Sequence, residues 1–336
     1  MRASTECIGR KRRIALVLMT LSAGPGWTGE PTALASESKI SLGAVRGRID
    51  HLAIDLNRER LYVAELGNDS VGVVDLNARR TLQTLTGLSE PQGIAYSSAT
   101  DTLYVANAGD GSVRLFRGAD LVPDGVIALG DDADNARVDD AAHRLFVGYG
   151  QGALAVIDTM TRSRLADIPL KGHPESFQLE QVGERIVVNV PDAREIAVVD
   201  RTAGRQLASW PTPDLRANFP LALDQARHHV LVIFRRPPRI GIFGDTDGRL
   251  LASLATCADA DDVFVDAVRH RLYVICGEGF VDVLGEAAAG YAHIARVPTT
   301  AGARTGLFVQ QLDRLFVAQR ATATEPAAIR VFRPSD

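Results

Sequence analysis

The sequence predicts an all-β fold, a seven-bladed β-propeller of four-stranded antiparallel blades. Three observations carry that expectation: a repeat with a period in the low forties, repeats filled by short strands, and a last repeat that lacks one strand. Seven times a short hydrophobic strand ends in an acidic or polar residue, and a basic turn leads into a second strand. The clearest copy is Ile54-Asp55 followed by Arg60-Leu61-Tyr62-Val63-Ala64. The strand-end position recurs at Asp55, Ser97, Asp139, Glu180, Asp224, Asp266 and Gln310, at intervals of 42, 42, 41, 44, 42 and 44 residues. One blade per repeat accounts for such a period.

The first repeat reads directly as strands. Strand A covers His51 to Asp55, and Leu56-Asn57-Arg58-Glu59 turns into strand B, Leu61 to Leu66. Gly67-Asn68-Asp69-Ser70, rich in residues that tolerate positive φ, turns into strand C, Val71 to Leu76. Asn77-Ala78-Arg79-Arg80 then leads to strand D, Thr81 to Leu85. Later copies of strands B and C, such as Tyr104-Val105-Ala106 and Ile196-Ala197-Val198-Val199, are almost continuously apolar. That pattern requires both faces of the sheet to be covered, as when blade packs on blade.

The last repeat ends soon after Ile329-Arg330-Val331-Phe332, without a strand D. Lys39-Ile40-Ser41-Leu42-Gly43 has the character of that missing strand, so the N-terminal strand is expected to complete the seventh blade. Closure of this kind leaves no open edge for aggregation.

Residues 1–35 read as a signal peptide. Lys11-Arg12-Arg13 forms a basic segment, Ile14 to Leu21 a short apolar core, and Ala33-Leu34-Ala35 a small-x-small cleavage site. The paired arginines also fit twin-arginine export. The expected mature chain, 36–336, is a single propeller domain, periplasmic or secreted, with no membrane span. A net charge of −4 argues against a nucleic-acid surface.

Tyr104-Val105-Ala106-Asn107 and Tyr62-Val63-Ala64-Glu65 resemble the repeat signature of the YVTN, or YncE-like, family of bacterial exported propellers. The resemblance spans all seven repeats and implies the propeller fold and a mostly non-enzymatic role. The Trp-Asp dipeptide of WD40 repeats is missing, and Gly-His does not recur from repeat to repeat.

Strand order places the D–A and B–C connections on one face and the A–B and C–D turns on the other. The D–A ends carry a polar set near the channel: Asp50, His51, Gln92, Asp134, Asn135, His173, Glu175, Asn218, Asp261, Asp262 and Arg304. The B–C ends add Glu65, Asn107, Tyr149, Asn189, Arg235, Glu278 and Gln319. Taken singly, such Asp and Asn residues cap turns. Taken as a ring around one funnel, they form a concave ligand site.

Three functional readings follow. The first is a non-catalytic, monomeric binding protein for a small polar ligand or a periplasmic protein, without a cofactor. The second is a lactonase of the gluconolactonase type. It would hold a divalent cation, calcium or zinc, on Glu175, Asn135, Asn218 and Asp262. Six blades are usual for such enzymes and this chain has seven. The third is an accessory of a periplasmic redox system, implied by related propellers.

Cys7 leaves with the signal, so Cys257 and Cys276 remain. Both fall at strand ends on the site face, and export with an even cysteine count favours a disulfide. Two buried thiols, or a soft-metal pair with His51 or His173, are the alternatives.

Overall fold

The computed structural model describes residues 33–287 and 290–335. The basic segment and apolar core of the expected signal peptide, and Cys7, lie outside the described residues. Among those described, strands gather into seven four-stranded antiparallel sheets. Blade 1 is Leu52–Asp55, Arg60–Glu65, Ser70–Asp75 and Arg80–Leu85, paired in that order. Each strand boundary falls within a residue of the sequence reading. The ladder begins at Arg60 because that residue pairs with both Asp55 and Asp75.

The hydrophobic core lies between the blades. Seven clusters of buried side chains each draw on two successive blades. Tyr62, Val71 and Val73 of blade 1 pack with Ile94, Leu103 and Val105 of blade 2, and Ile329 of blade 7 packs with Leu61 and Val63 of blade 1. Strands B and C are apolar on both faces for this reason. A fully buried Leu or Val contributes roughly 2 kcal/mol, so the blade interfaces dominate stability.

Ring closure follows the expected route. The N-terminal strand, Leu34–Ser41, runs antiparallel to Ala328–Pro334, pairing Ile40 with Ile329. It begins five residues before the Lys39-to-Gly43 segment read from sequence and ends at Ser41. The backbone N–H of Ser335 donates to the Ala33 carbonyl at 3.2 Å, and Leu34 is 2% exposed. A cut after Ala35 would therefore remove a buried side chain from the last blade.

The A–B turns are not the plain solvent turns that their composition suggests. Asp55 accepts the backbone N–H groups of Asn57 at 3.0 Å and Arg58 at 3.1 Å. Arg58 returns to Asp55 at 2.7 Å and reaches both carboxylate oxygens of Asp101 in the next blade at 2.8 Å. Blade 6 repeats the device with Asp266, Arg269 and Asp313. Asp55 and Asp266, two of the acidic strand ends that mark the period, are thus buried anchors for the turn and for the neighbouring blade. Asp266→Ala strips the turn of its acceptor and Arg269 of a buried partner, so unfolding in urea should show a loss of roughly 3–5 kcal/mol.

Cys257 and Cys276 are joined in a disulfide with Cα atoms 5.8 Å apart. The thiol and soft-metal alternatives give way to it. Among the described residues no helix is long and apolar enough to cross a membrane.

Candidate functional site

On the D–A face, the inner ends of the blades surround a polar basin of about 220 Å³. Eight of the eleven residues read from the D–A ends line it: Asp50, His51, Gln92, Asp134, His173, Glu175, Asp261 and Arg304. The local cause is a break in strand A. In four blades the pairing of strand A with strand B slips near this end, between Pro91 and Ile94, Ala133 and Ala136, Asn218 and Leu221, and Ala260 and Asp262. Such bulges release residues from the ladder and re-aim their side chains. Gln92, Asp134, Phe219 and Asp261 fall inside the four slips, and all four line the basin. Gly93 permits one of them, because a Cβ there would lie 1.8 Å from the Asp134 carbonyl oxygen.

Charge is distributed unevenly around the basin. Arg48 pairs with Asp50 at 2.8 Å. Arg304 holds Asp261 at 2.8 Å and Asp259 at 3.1 Å. Arg235 also pairs with Asp261 and lies 3.9 Å from the centre of the Phe219 ring. On the other side, His173 lies 3.6 Å from Asp132 and 3.8 Å from Asp134, and its Nδ1–H donates to the Gly150 carbonyl at 2.7 Å. With Asp134 at 3.8 Å, its protonated form, a donor at both ring nitrogens, is the one favoured.

Glu175 differs from all of these. Its backbone N–H donates to the Asn189 carbonyl at 3.0 Å, while its carboxyl forms no hydrogen bond or ion pair among the described residues. Burial, with repulsion from Asp134 and Asp261, pushes it up to about 8. Burial alone would lower His51, but Asp262 and Asp50 hold it at about 10. Burial likewise opposes His173, which Asp134 and the Gly150 carbonyl keep at about 9. Burial raises Asp50 to about 6 against the pull of His51 and Arg48.

These shifts share one sign. The raised histidines stabilise the fold fully below the ordinary value of 6.5, and that stability is lost as pH rises towards 9 and 10. Glu175 favours the protonated fold below its ordinary 4.5 and loses that advantage up to about 8. Melting temperature should therefore fall steadily from about pH 5 to about pH 10. Glu175→Gln should flatten the acid half of that slope, a result that differential scanning calorimetry would read.

Three residues of the sequence set stand elsewhere. Asn135 is 1% exposed and donates to Asp134 at 3.4 Å. Asn218 is turned into the blades, donating to Asn189 Oδ1 at 3.1 Å and the Glu195 carbonyl at 3.0 Å. Asp262 lies beneath the basin, accepting the Gly306 N–H at 2.8 Å and facing His51 Nδ1 at 3.6 Å. Of the quartet Glu175, Asn135, Asn218 and Asp262, only Glu175 lines the basin. No group of three or more His, Cys, Asp and Glu side chains is arranged to hold a metal ion among the described residues.

The B–C ends contribute Arg235 alone. Glu65 accepts from Ser70 at 2.6 Å, Glu278 accepts the Ala258 N–H at 2.9 Å, and Gln319 donates to Glu325 at 2.7 Å. Sequence reasoning left Arg48, Asp132 and Phe219 out. Arg48 and Asp132 stand two positions before Asp50 and Asp134, so the period-2 alternation of extended chain was the signal that could have found them.

No family model matches the sequence, and no curated protein matches it. Solved structures do resemble the fold. A chain of the crystal structure of the mitotic checkpoint complex superposes with a TM-score of 0.77 at 12% identity, covering 97% of this chain and 99% of that one. The crystal structure of RRP9 WD40 repeats gives 0.78 at 12% identity, over 91% and 100%. A chain of Kuenenia stuttgartiensis hydrazine synthase gives 0.68 at 15% identity, over 91% and 99%. The fold is a seven-bladed β-propeller. At these identities the likeness extends to the fold alone, and the WD40 match arises without WD40 sequence signatures.

Proposed function

We propose that this chain is an exported, non-catalytic propeller of the YncE-like kind that binds a small polar ligand in the D–A face basin. The observation that carries the reading is Glu175: a carboxyl without a partner among the described residues, in a concave site whose other charges are already paired. A buried ionisable group held away from its ordinary value inside a cleft marks a functional site. A ligand donor would take the place that no side chain fills, and the surrounding ion pairs fix the basin's shape before binding. Concavity favours a small molecule over a protein partner, whose interface would be broader.

Native mass spectrometry on protein purified from an exporting host tests this. A stoichiometric small-molecule adduct is expected. The double change Asp261→Ala with Asp262→Ala should deplete it, while Asn57→Ala with Glu59→Ala on the far face should leave it. Equal depletion by both pairs, or no adduct in the parent protein, would overturn the assignment. Fractionation of the same host with N-terminal sequencing tests export.

A further inference from the structure

Beneath the basin runs the central channel, and its wall is strongly asymmetric. Two residues before each strand-end position, the seven blades present one inward ring. Three blades place alanine there (Ala53, Ala95, Ala222), blades 6 and 7 place Phe264 and Phe308, and blades 3 and 4 place Arg137 and Gln178. Two cavities of about 360 Å³ each share Gln178 and Phe264 and together occupy this level. The alanines leave the space, the phenylalanines give an aromatic wall, and the only polar side chains of the ring stand side by side.

Among the described residues Arg137 has no carboxylate partner. Its one hydrogen bond runs from Nη1 to the carbonyl of its neighbour Ala136 at 2.8 Å, and its guanidinium lies 5.6 Å from the centre of the Phe177 ring. Among the described residues it forms no ion pair. Burial draws it below the ordinary guanidinium range, against the opposing influence of Asp262 and Asp134. Asp262 is already engaged by His51 and by the Gly306 N–H, and Asp134 by His173. Gln178 donates one amide N–H to the Leu221 carbonyl at 3.2 Å and keeps a second. A half-buried guanidinium with unused donors, facing a cavity, is costly unless an anion meets it.

We propose that the channel binds a small aromatic carboxylate. The carboxylate would meet the planar fork of Arg137, the pairing such a fork suits best, with the Gln178 amide beside it. The aromatic ring would fill the space left by the alanines and pack against Phe264 and Phe308. His51 lines both this cavity and the basin above, whereas Arg137, Gln178, Phe264 and Phe308 line the channel alone, so the proposal does not depend on what the basin holds.

Isothermal titration of the whole protein with benzoate tests the proposal. Benzoate should saturate a single site, and its neutral isostere benzamide should bind at least about tenfold more weakly, since it lacks the charge that Arg137 pairs with. Arg137→Gln should weaken benzoate by a similar factor and Phe264→Ala by less. Glu175→Gln in the basin should leave it unchanged. Arg137→Lys, with melting curves on every variant, guards against a folding defect, and it too should weaken benzoate because lysine lacks the fork. No saturable benzoate binding, equal affinity for benzamide, or full affinity in a folded Arg137 variant would each overturn the proposal. So would loss of benzoate binding in Glu175→Gln, which would place the ligand in the basin. Inorganic phosphate binding as tightly as benzoate would overturn the aromatic part.

Discussion

A chain lacking residues 36–45 is expected to lose its cooperative melt. The missing segment holds most of the strand that completes blade 7. It takes Ile40, Leu42 and Val45 from the cluster that joins blade 7 to blade 1. It also frees the backbone of Ala328–Pro334, which pairs with that strand. Burial of three such side chains contributes roughly 1.5–3 kcal/mol each for Ile and Leu, within a total stability of about 5–15 kcal/mol. The exposed edge then offers a template for association. Circular dichroism and light scattering would show early, non-cooperative unfolding with aggregation. A truncated chain that melts at the parent temperature would show that the ring does not need this strand.

Reduction of the Cys257–Cys276 bond should produce the second large effect. The bond links residues 19 positions apart, and constraint of a loop of that size in the unfolded chain stabilises by about 3 kcal/mol. It also fastens the segment that leads into the site. The Cys257 N–H donates to Asp282 at 2.8 Å, and Ala260 pairs with Cys276 at the start of the blade 6 ladder. Asp259 and Asp261, which hold Arg304 and Arg235, lie on the connection so pinned. Replacement of both cysteines by serine should therefore lower the urea midpoint and also weaken whatever the basin binds. Equal midpoints for the parent and the double serine variant would contradict the stability claim, and a lowered midpoint with unaltered basin binding would confine the bond to a structural role.

The fold was legible because its strongest local signals are also its joints. Asp55 and Asp266 mark the period in the sequence and fasten turn to blade in the structure. Ile40 could be placed beside Ile329 because one repeat lacked a strand and one strand lacked a repeat. The site was legible as a ring of loop ends and much less so as a set of side chains. Strand A slips its register in four blades just where it meets the basin, and alternation fails there. Asn218 therefore turns inward while the apolar Phe219 faces the basin, the reverse of what polarity suggests. Arg137 escaped notice for another reason. It stands mid-strand among apolar neighbours, and only the ring formed by the equivalent position in every blade gives it meaning.

The placement of the core between blades, with none held by any blade alone, bears on how this molecule opens. In a linear array of repeats the outermost unit touches one neighbour, so unfolding starts by fraying at an end. A closed ring has no outermost unit. Detaching a blade must break two apolar interfaces at once, and neither half of a severed ring keeps its full set of contacts. Partial opening therefore breaks two apolar interfaces whichever blade detaches, and a protease finds cleavable segments mainly in the exposed turns rather than in locally unfolded blades. Resistance of this kind arises from topology and needs no single strong contact.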